Sequence, residues 1–290
     1  MHFPRFRSLG CRAIAGVLGL GLIAAAAPSH GPKKGYLVIN GGADYTTALP
    51  ALIRLAGGAA RARIVVIPTA SVTRPTTHEQ LMQRYCASPR WFAAVADCAV
   101  LHTTDRRVAN SASFVRPLET ATGVWLVGGR QWRLADAYLG TRTLRELYRL
   151  LARGGVIGGG SAGASIQASF LVRGSEHPDD NHIMMAPGHE TGFGFFTNTA
   201  IDQHVDARHR ENDLAVVMKA EPGLLGIGLD QGTTITVHGD ELVDVGPGRV
   251  AVWDGRRHAG QGYFYLRPGD ELNTATRRPT LHQALAKGSH

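Results

Sequence analysis

Five short runs of apolar residues recur between residues 36 and 157: Tyr36-Leu37-Val38-Ile39, Ile64-Val65-Val66-Ile67, Ala99-Val100-Leu101, Val124-Trp125-Leu126-Val127 and Val156-Ile157. They are nearly continuous rather than alternating, the pattern of strands buried on both faces of a parallel sheet. Between and after them, Leu144, Leu147, Tyr148 and Leu151 follow helical spacing, as do Leu214, Val217 and Met218. Each set predicts a helix packed on the sheet. From Ile227 onward the pattern changes to strands and turns around Thr233, Ile235 and Val237, then Leu242, Val243 and Val245, then Val250 and Val252, then Tyr263 and Tyr265. The expectation is one α/β domain over residues 36–270 with a C-terminal β extension, followed by a polar, frayed tail over 271–290. No internal repeat is visible.

At 290 residues and 44% apolar content the chain is long enough for one large α/β core. Its start places Arg5, Arg7 and Arg12 before the apolar stretch Ala13 to Ala27, with small residues near Ala26. That reads as a secretory signal peptide over 1–27 and implies a secreted or periplasmic protein, with no membrane association after cleavage. A membrane anchor is the rival reading; the run is short and rich in glycine and alanine, and Cys11 precedes the apolar core, unlike a lipoprotein cysteine. Without those three arginines the formal charge falls from +8 to +5. The surplus is spread along the chain without aromatic interleaving, which argues against nucleic-acid binding. A basic site surface for acidic peptides and a solvated basic face both account for it. In an oxidising compartment Cys86 and Cys98 could close a small loop.

The stretch with the most chemistry is Gly155-Val156-Ile157-Gly158-Gly159-Gly160-Ser161-Ala162-Gly163-Ala164-Ser165. A short apolar strand enters glycines, a serine and small residues that can open a helix. A serine on such a turn stands above the sheet edge with backbone N–H groups beside it that can hold an oxyanion. A glycine-rich phosphate cradle is the competing reading; neither the Lys-Ser/Thr ending nor G-x-G-x-x-G of the phosphate fingerprints is present.

Downstream, Thr199-Ala200-Ile201 is β-prone and sets Asp202-Gln203-His204 at a strand end, where functional groups collect in open α/β sheets. Arg208 and Arg210 follow. At the mouth of a site they would grip carboxylates; in isolation they would be a solvated helix start, and His204 a structural histidine.

The glycine-rich Ser-Ala-Gly-Ala, then Asp-Gln-His with Arg-x-Arg behind it, resembles the cyanophycinase family of serine peptidases, which also holds the aspartyl dipeptidases. Gly123-Val124-Trp125-Leu126-Val127-Gly128-Gly129-Arg130-Gln131 is similar to that family's apolar strand ending in Gly-Gly-Asp-Gln. Gly226-Ile227-Gly228-Leu229-Asp230-Gln231 is similar to its Gly-Ile-Gly-Ile-Asp-Glu strand, and Leu37-Val38-Ile39-Asn40-Gly41-Gly42 to its first strand and glycine turn. The resemblance implies a class I glutamine amidotransferase-like or flavodoxin-like three-layer sandwich around a mostly parallel sheet. It implies a serine-type hydrolase, omega- or dipeptidase-like, acting on aspartyl peptides or a cyanophycin-like polymer without a cofactor. Ser161 would be the nucleophile and His204 the general base. The backbone N–H groups of Ala162 and of the Gly128-Gly129 turn, Gly129 in particular, would form the oxyanion hole. Arg130, Gln131, Asp202, Gln203, Arg208 and Arg210 would meet the acidic peptide substrate. A homodimer is left open.

Three departures bear on these roles. The family's histidine-orienting glutamate is Gln231 here, whose oxygen can fix the imidazole tautomer but supplies no charge. Glu176, fifteen residues after Ser161, is the first candidate for the missing carboxylate, Gln231 the second; Asp230 should face the opposite way, because strand neighbours alternate. Arg130 replaces an acid and Asp213 an arginine, an exchange that should redirect specificity.

Among the 13 histidines, His177-Pro178-Asp179-Asp180 is similar to a zinc motif of sugar deacetylases but continues with Asn181 rather than glutamate. No metal site is expected, and His177, His182 and His189 are read as a surface loop beside the site. Two other functions remain open at this point. Gly159-Gly160-Ser161-Ala162-Gly163 satisfies G-x-S-x-G, so an α/β-hydrolase esterase would pair Asp230 or Asp254 with His258 or His282. A secreted binding protein that has lost turnover would explain Gln231.

Overall fold

The computed structural model describes residues 29–282, so the expected signal segment over 1–27 lies outside the described residues. Among the described residues, fourteen strands form two sheets. They are β1 (Tyr36–Asn40), β2 (Arg63–Ile67), β3 (Asp97–Val100), β4 (Gly123–Leu126), β5 (Val156–Gly160), β6 (Ala168–Phe170), β7 (Phe196–Gln203), β8 (Leu225–Leu229), β9 (Thr234–His238), β10 (Glu241–Gly246), β11 (Val250–Trp253), β12 (Phe264–Leu266), β13 (Glu271–Asn273) and β14 (Arg278–Thr280). The helices are α1 (Ala48–Leu55), α2 (His78–Tyr85), α3 (Arg106–Ala109), α4 (Ala112–Thr120), α5 (Gln131–Tyr138), α6 (Arg142–Ala152), α7 (Ala162–Ser165) and α8 (Leu214–Ala220).

The larger sheet runs β14-β13-β10-β9-β1-β5-β4-β2-β3. Its half from β1 to β3 is parallel, and the rest is antiparallel. The continuous apolar runs are its parallel strands, and successive residues divide between its faces. Val38, Ile64, Val66, Trp125 and Val156 pack with α1 and α2 on one face. Leu37, Ile39, Val65, Ile67, Val124, Leu126 and Ile157 pack on the other, against α4 to α7 and the inner side of the second sheet. The expected α/β sandwich is the observed fold; its larger sheet is mixed, parallel from β1 to β3 and antiparallel beyond β1, with a second sheet sharing its third layer. In α6, Leu144, Leu147 and Leu151 are buried, whereas Tyr148 is exposed and donates its hydroxyl to the Phe193 carbonyl.

The C-terminal part is less an appendage than the sequence pattern implies. β8 is the central strand of the smaller sheet, β12-β11-β8-β7-β6, parallel to β7 and antiparallel to β11, while β9 and β10 return to the larger sheet beside β1. The stretch expected to fray from 271 onward instead supplies β13 and β14, the last two strands of the larger sheet. Its polarity reflects an edge position, where side chains meet water while the backbone is paired. Cys86, at the end of α2, is bonded to Cys98 in β3. No described helix is long and apolar enough to cross a membrane.

The bridge closes a short loop onto an edge strand. A loop of this length implies a contribution of about 2–4 kcal/mol. Cys98→Ser should lower unfolding stability by that amount in denaturant titrations under oxidising conditions, and reduction should bring the native chain to the same value. Equal stabilities of the two oxidised proteins would show that the bridge contributes nothing.

Candidate active site

The carboxyl ends of parallel strands from both sheets meet at one place, the position at which open α/β sheets bind ligands. β1 ends there in Asn40-Gly41-Gly42, β4 is followed by Gly128-Gly129, and β5 by Ser161. From the second sheet, β7 is followed by His204 and β8 by Asp230-Gln231. Ser161 sits between β5 and α7 with φ 55° and ψ −117°. Such a conformation costs a non-glycine residue about 1–3 kcal/mol and persists only where its neighbours over-determine it. Here the Ser161 N–H donates to the Asn40 carbonyl at 3.0 Å, and the Ser161 carbonyl accepts from Ala164 and Ser165. Gly163 lets α7 approach β4 closely, since a Cβ there would lie 2.0 Å from the Leu126 carbonyl oxygen.

His204 bridges the site. Its Nε2 lies 3.0 Å from Ser161 Oγ, and its Nδ1 lies 2.9 Å from Gln231 Oε1. An amide oxygen can only accept, so Nδ1 carries the proton and Nε2 presents a lone pair to the serine hydroxyl. Gln231 is anchored through its backbone N–H, which donates to Asp206 Oδ1 at 2.7 Å. Gly42 lies beneath the pair at φ +95°. A Cβ there would come within 2.6 Å of His204 Nε2 and 2.9 Å of Ser161 Cβ, so both conformation and space require glycine.

Gln231, not Glu176, is therefore the group on the imidazole. Glu176 is exposed and lies 3.6 Å from His189 Nε2. Together with Asp136 these residues offer one ligand atom each, all within 4.8 Å of one another, the one such grouping of metal-ligating side chains among the described residues. Glu176 is excluded from the histidine by its place in the 171–195 segment, which sequence separation alone could not reveal. Asp230 faces away and binds Arg249 Nε through Oδ2 at 3.0 Å. The esterase arrangement also fails on geometry. Asp254 and His258 do pair, at 2.8 Å, and His282 lies near Glu271, but Ser161 is held by His204.

The residues expected to meet substrate divide sharply. Asp202 is fully buried and receives both Nε and Nη2 of Arg173 at 2.9 Å. Arg173 also donates to Asp213, and Arg210 lies 3.7 Å from Asp202 and donates to the Gln203 carbonyl. Asp202 and Arg210 thus belong to a buried charge network and not to the mouth of the site. Buried Gln203 presents Oε1 to the same arginine at 3.4 Å, and buried Gln131 donates to the Val172 carbonyl, next to Arg173. Asp213, standing where the sequence comparison expects an arginine, is a counter-ion to Arg173. Arg208 is exposed, and its backbone N–H donates to the His204 carbonyl. Arg130 is half-buried at the start of α5. Gly128 abuts Ser161, with a Cβ there falling 3.1 Å from Ser161 Cβ, whereas Gly129 backs onto the Ala70 carbonyl. Ala162 opens α7 directly after the serine.

Sequence reasoning missed Arg173 and Asn40. Two nearby acids, Asp202 and Asp213, were the signal that a cation was required. Asn40 was signalled only as the one polar residue ending an otherwise apolar strand.

An α/β sandwich with a strained serine, a histidine on its hydroxyl and glycine turns alongside defines a hydrolase-type site. The model of peptidase family S51 matches residues 37–245, and the chain belongs to that family; it is a peptidase. Cyanophycinase from Nostoc sp. is 31% identical over 230 residues, covering 77% of this chain and 74% of the relative. Cyanophycinase from Synechococcus elongatus is 27% identical over 266 residues, covering 89% and 80%. Among solved structures, a peptidase from an acI-B1 Actinobacterium superposes with a TM-score of 0.63 at 22% identity, covering 84% of this chain and 98% of that one. A putative peptidase E protein from Listeria monocytogenes EGD-e gives 0.52 at 14%, covering 72% and 97%. At these identities the two structures attest the fold.

Burial holds the His204 pKa below its ordinary 6.5, and Arg208 and Arg210 push it the same way, against the raising effects of the Gln231 hydrogen bond and Asp202. Only the neutral imidazole can accept a proton, and that form of His204 persists to pH below 6.5 and is lost as pH falls through the depressed pKa. Arg208→Ala removes one positive charge and should move the acid limb of kcat/KM to higher pH. It should also raise KM for acidic peptides several-fold more than for uncharged ones. An unmoved limb in the pH–rate profile, with equal KM changes, would show that Arg208 acts on neither.

Proposed function

We propose that this peptidase is a serine-type hydrolase of aspartyl-containing peptides or a cyanophycin-like polymer, with Ser161 as nucleophile and His204 as general base. The observation that carries this reading is the chain of contacts from Ser161 Oγ to His204 Nε2 and from His204 Nδ1 to Gln231 Oε1. In the first step Nε2 takes the hydroxyl proton as Oγ attacks the scissile carbonyl, and the imidazolium then protonates the leaving amine. A water molecule, deprotonated by the same nitrogen, releases the acyl group from Ser161. The first-turn N–H of Ala162 and the Gly128-Gly129 backbone supply donors for the tetrahedral oxyanion. The curated relatives named cyanophycinase support the substrate class, and exposed Arg208 supports an acidic group on it. Export to a secreted or periplasmic location is supported by the basic-then-apolar start of the sequence and by the Cys86–Cys98 bridge.

Ser161→Ala should abolish covalent labelling by a serine-directed phosphonate and lower peptide hydrolysis about a thousandfold or more, with the melting temperature preserved. Persistent labelling of the variant would end the nucleophile assignment.

Since Gln231 is the imidazole's partner, Gln231→Glu would replace a neutral acceptor by a charged one and favour the imidazolium of the transition state. A gain of ~1 kcal/mol, about fivefold in kcat, is expected from the greater strength of a charge-assisted hydrogen bond. Glu176→Gln, away from the histidine, should leave kcat unchanged. A large loss in Glu176→Gln, with no gain in Gln231→Glu, would restore Glu176 to the catalytic group.

A further inference from the structure

Residues 40 to 42 hold all three parts of the site by their backbone. The Asn40 carbonyl accepts the Ser161 N–H at 3.0 Å, the Gly41 carbonyl accepts the His204 N–H at 3.1 Å, and the Gly42 carbonyl accepts the N–H of Gly232, the residue after Gln231, at 2.8 Å. The Asn40 side chain, fully buried, sets the shape of this tripeptide. Its Oδ1 accepts the Gly42 N–H at 2.7 Å, closing the turn that brings Gly42 beneath Ser161 and His204. Its Nδ2 lies 3.0 Å from the Gly232 carbonyl, the Thr234 hydroxyl and the Asp44 carbonyl, tying that turn to the one carrying Gln231.

We infer that Asn40 is a positioning residue of the reaction: its amide joins the turn beneath the nucleophile to the turn bearing Gln231, and so fixes the distance between the imidazole and its orienting partner. The inference rests on the serine peptidase reading above. Only an amide meets the requirement. An acceptor is needed for Gly42 and a donor for Gly232, on one short side chain that carries no charge into a sealed position. Aspartate keeps the acceptor and loses the donor, and alanine loses both.

The effect should appear in turnover rather than affinity, because Asn40 is buried beneath the catalytic groups and a misplacement of about 1 Å among them costs on the order of 100-fold. Asn40→Ala and Asn40→Asp are compared with the native chain for kcat and KM on one aspartyl peptide, for phosphonate labelling rate and for melting temperature, each also in a Gln231→Ala background. The expected result is a fall in kcat and labelling rate of roughly 10- to 100-fold with KM little changed. That loss should shrink to a few-fold once Gln231 is gone, because residues acting through one contact are not additive. A folded variant with native kcat, or full additivity with Gln231→Ala, overturns the inference. Failure of both variants to fold overturns it too, by making Asn40 a determinant of the fold. Ser161→Ala run in parallel separates the two levels: if it retains labelling, the serine peptidase reading falls. If it loses labelling while the Asn40 variants behave as native, the positioning role alone falls.

Discussion

Three consecutive backbone carbonyls at the end of β1 hold the site together. Ser161, His204 and Gln231 come from three different strand ends in two different sheets, and the N–H groups of Ser161, His204 and Gly232 all terminate on residues 40–42. The parallel register of β1 with β5 places Asn40 opposite Gly160, one residue before Ser161. The antiparallel register of β1 with β9 places the same residue opposite Thr234, three residues after Gln231. A central strand with a different neighbour on each side is the economical place to set the geometry of a site split between sheets. The backbone groups involved would otherwise be unpaired in a buried position, so satisfying them and aligning the chemistry are one requirement.

A second constraint is charge. Asp202 sits wholly inside the protein within reach of Arg173 and Arg210, and Asp213 meets Arg173 from the side. Breaking one member of such a network leaves a buried charge uncompensated, at a cost of about 3–5 kcal/mol. Its Asp202 lies two residues before His204, so the network holds the end of β7 at the point where the chain turns into the site. Arg210, which reads with Arg208 as a carboxylate grip, and Asp202, expected to meet substrate, serve that support instead. Arg208, two residues away and on the other side of the turn, is left facing solvent.

How far the sequence revealed this follows from what each signal depends on. The parallel strands were legible because burial on both faces demands continuous apolar runs, and the serine turn because few arrangements require so many glycines beside one hydroxyl. The helices over 142–152 and 214–220 were legible from periodicity. The division into two sheets was not, since β8 reads the same whether it pairs with β7 or with β1; only tertiary packing decides. The edge strands at 271–280 were hidden because polar edge strands and frayed tails share a composition. Within the site, motif order brought Ser161 and His204 together, but the third partner depended on which way Gln231 and Glu176 face, and their distance along the chain carries no such information. Arg173 escaped because a buried arginine is identified by its carboxylates, which lie 29 and 40 residues away.

A glutamine in place of a glutamate makes the electrostatics of His204 depend on its other neighbours. With a neutral acceptor on Nδ1, burial and two arginines hold the imidazole towards its neutral form, which suits the acceptance of a proton and opposes its retention. A carboxylate at that position would reverse the balance by stabilising the imidazolium. An acidic substrate offers a third route within the proposed function. A carboxylate held against Arg208 would cancel part of the repulsion that this arginine exerts on His204, so the imidazolium would be easier to form in the occupied site than in the empty one. In that arrangement the arginine that selects an acidic substrate and the arginine that restrains the base are the same residue, and substrate binding itself supplies part of the charge that the neutral Gln231 cannot.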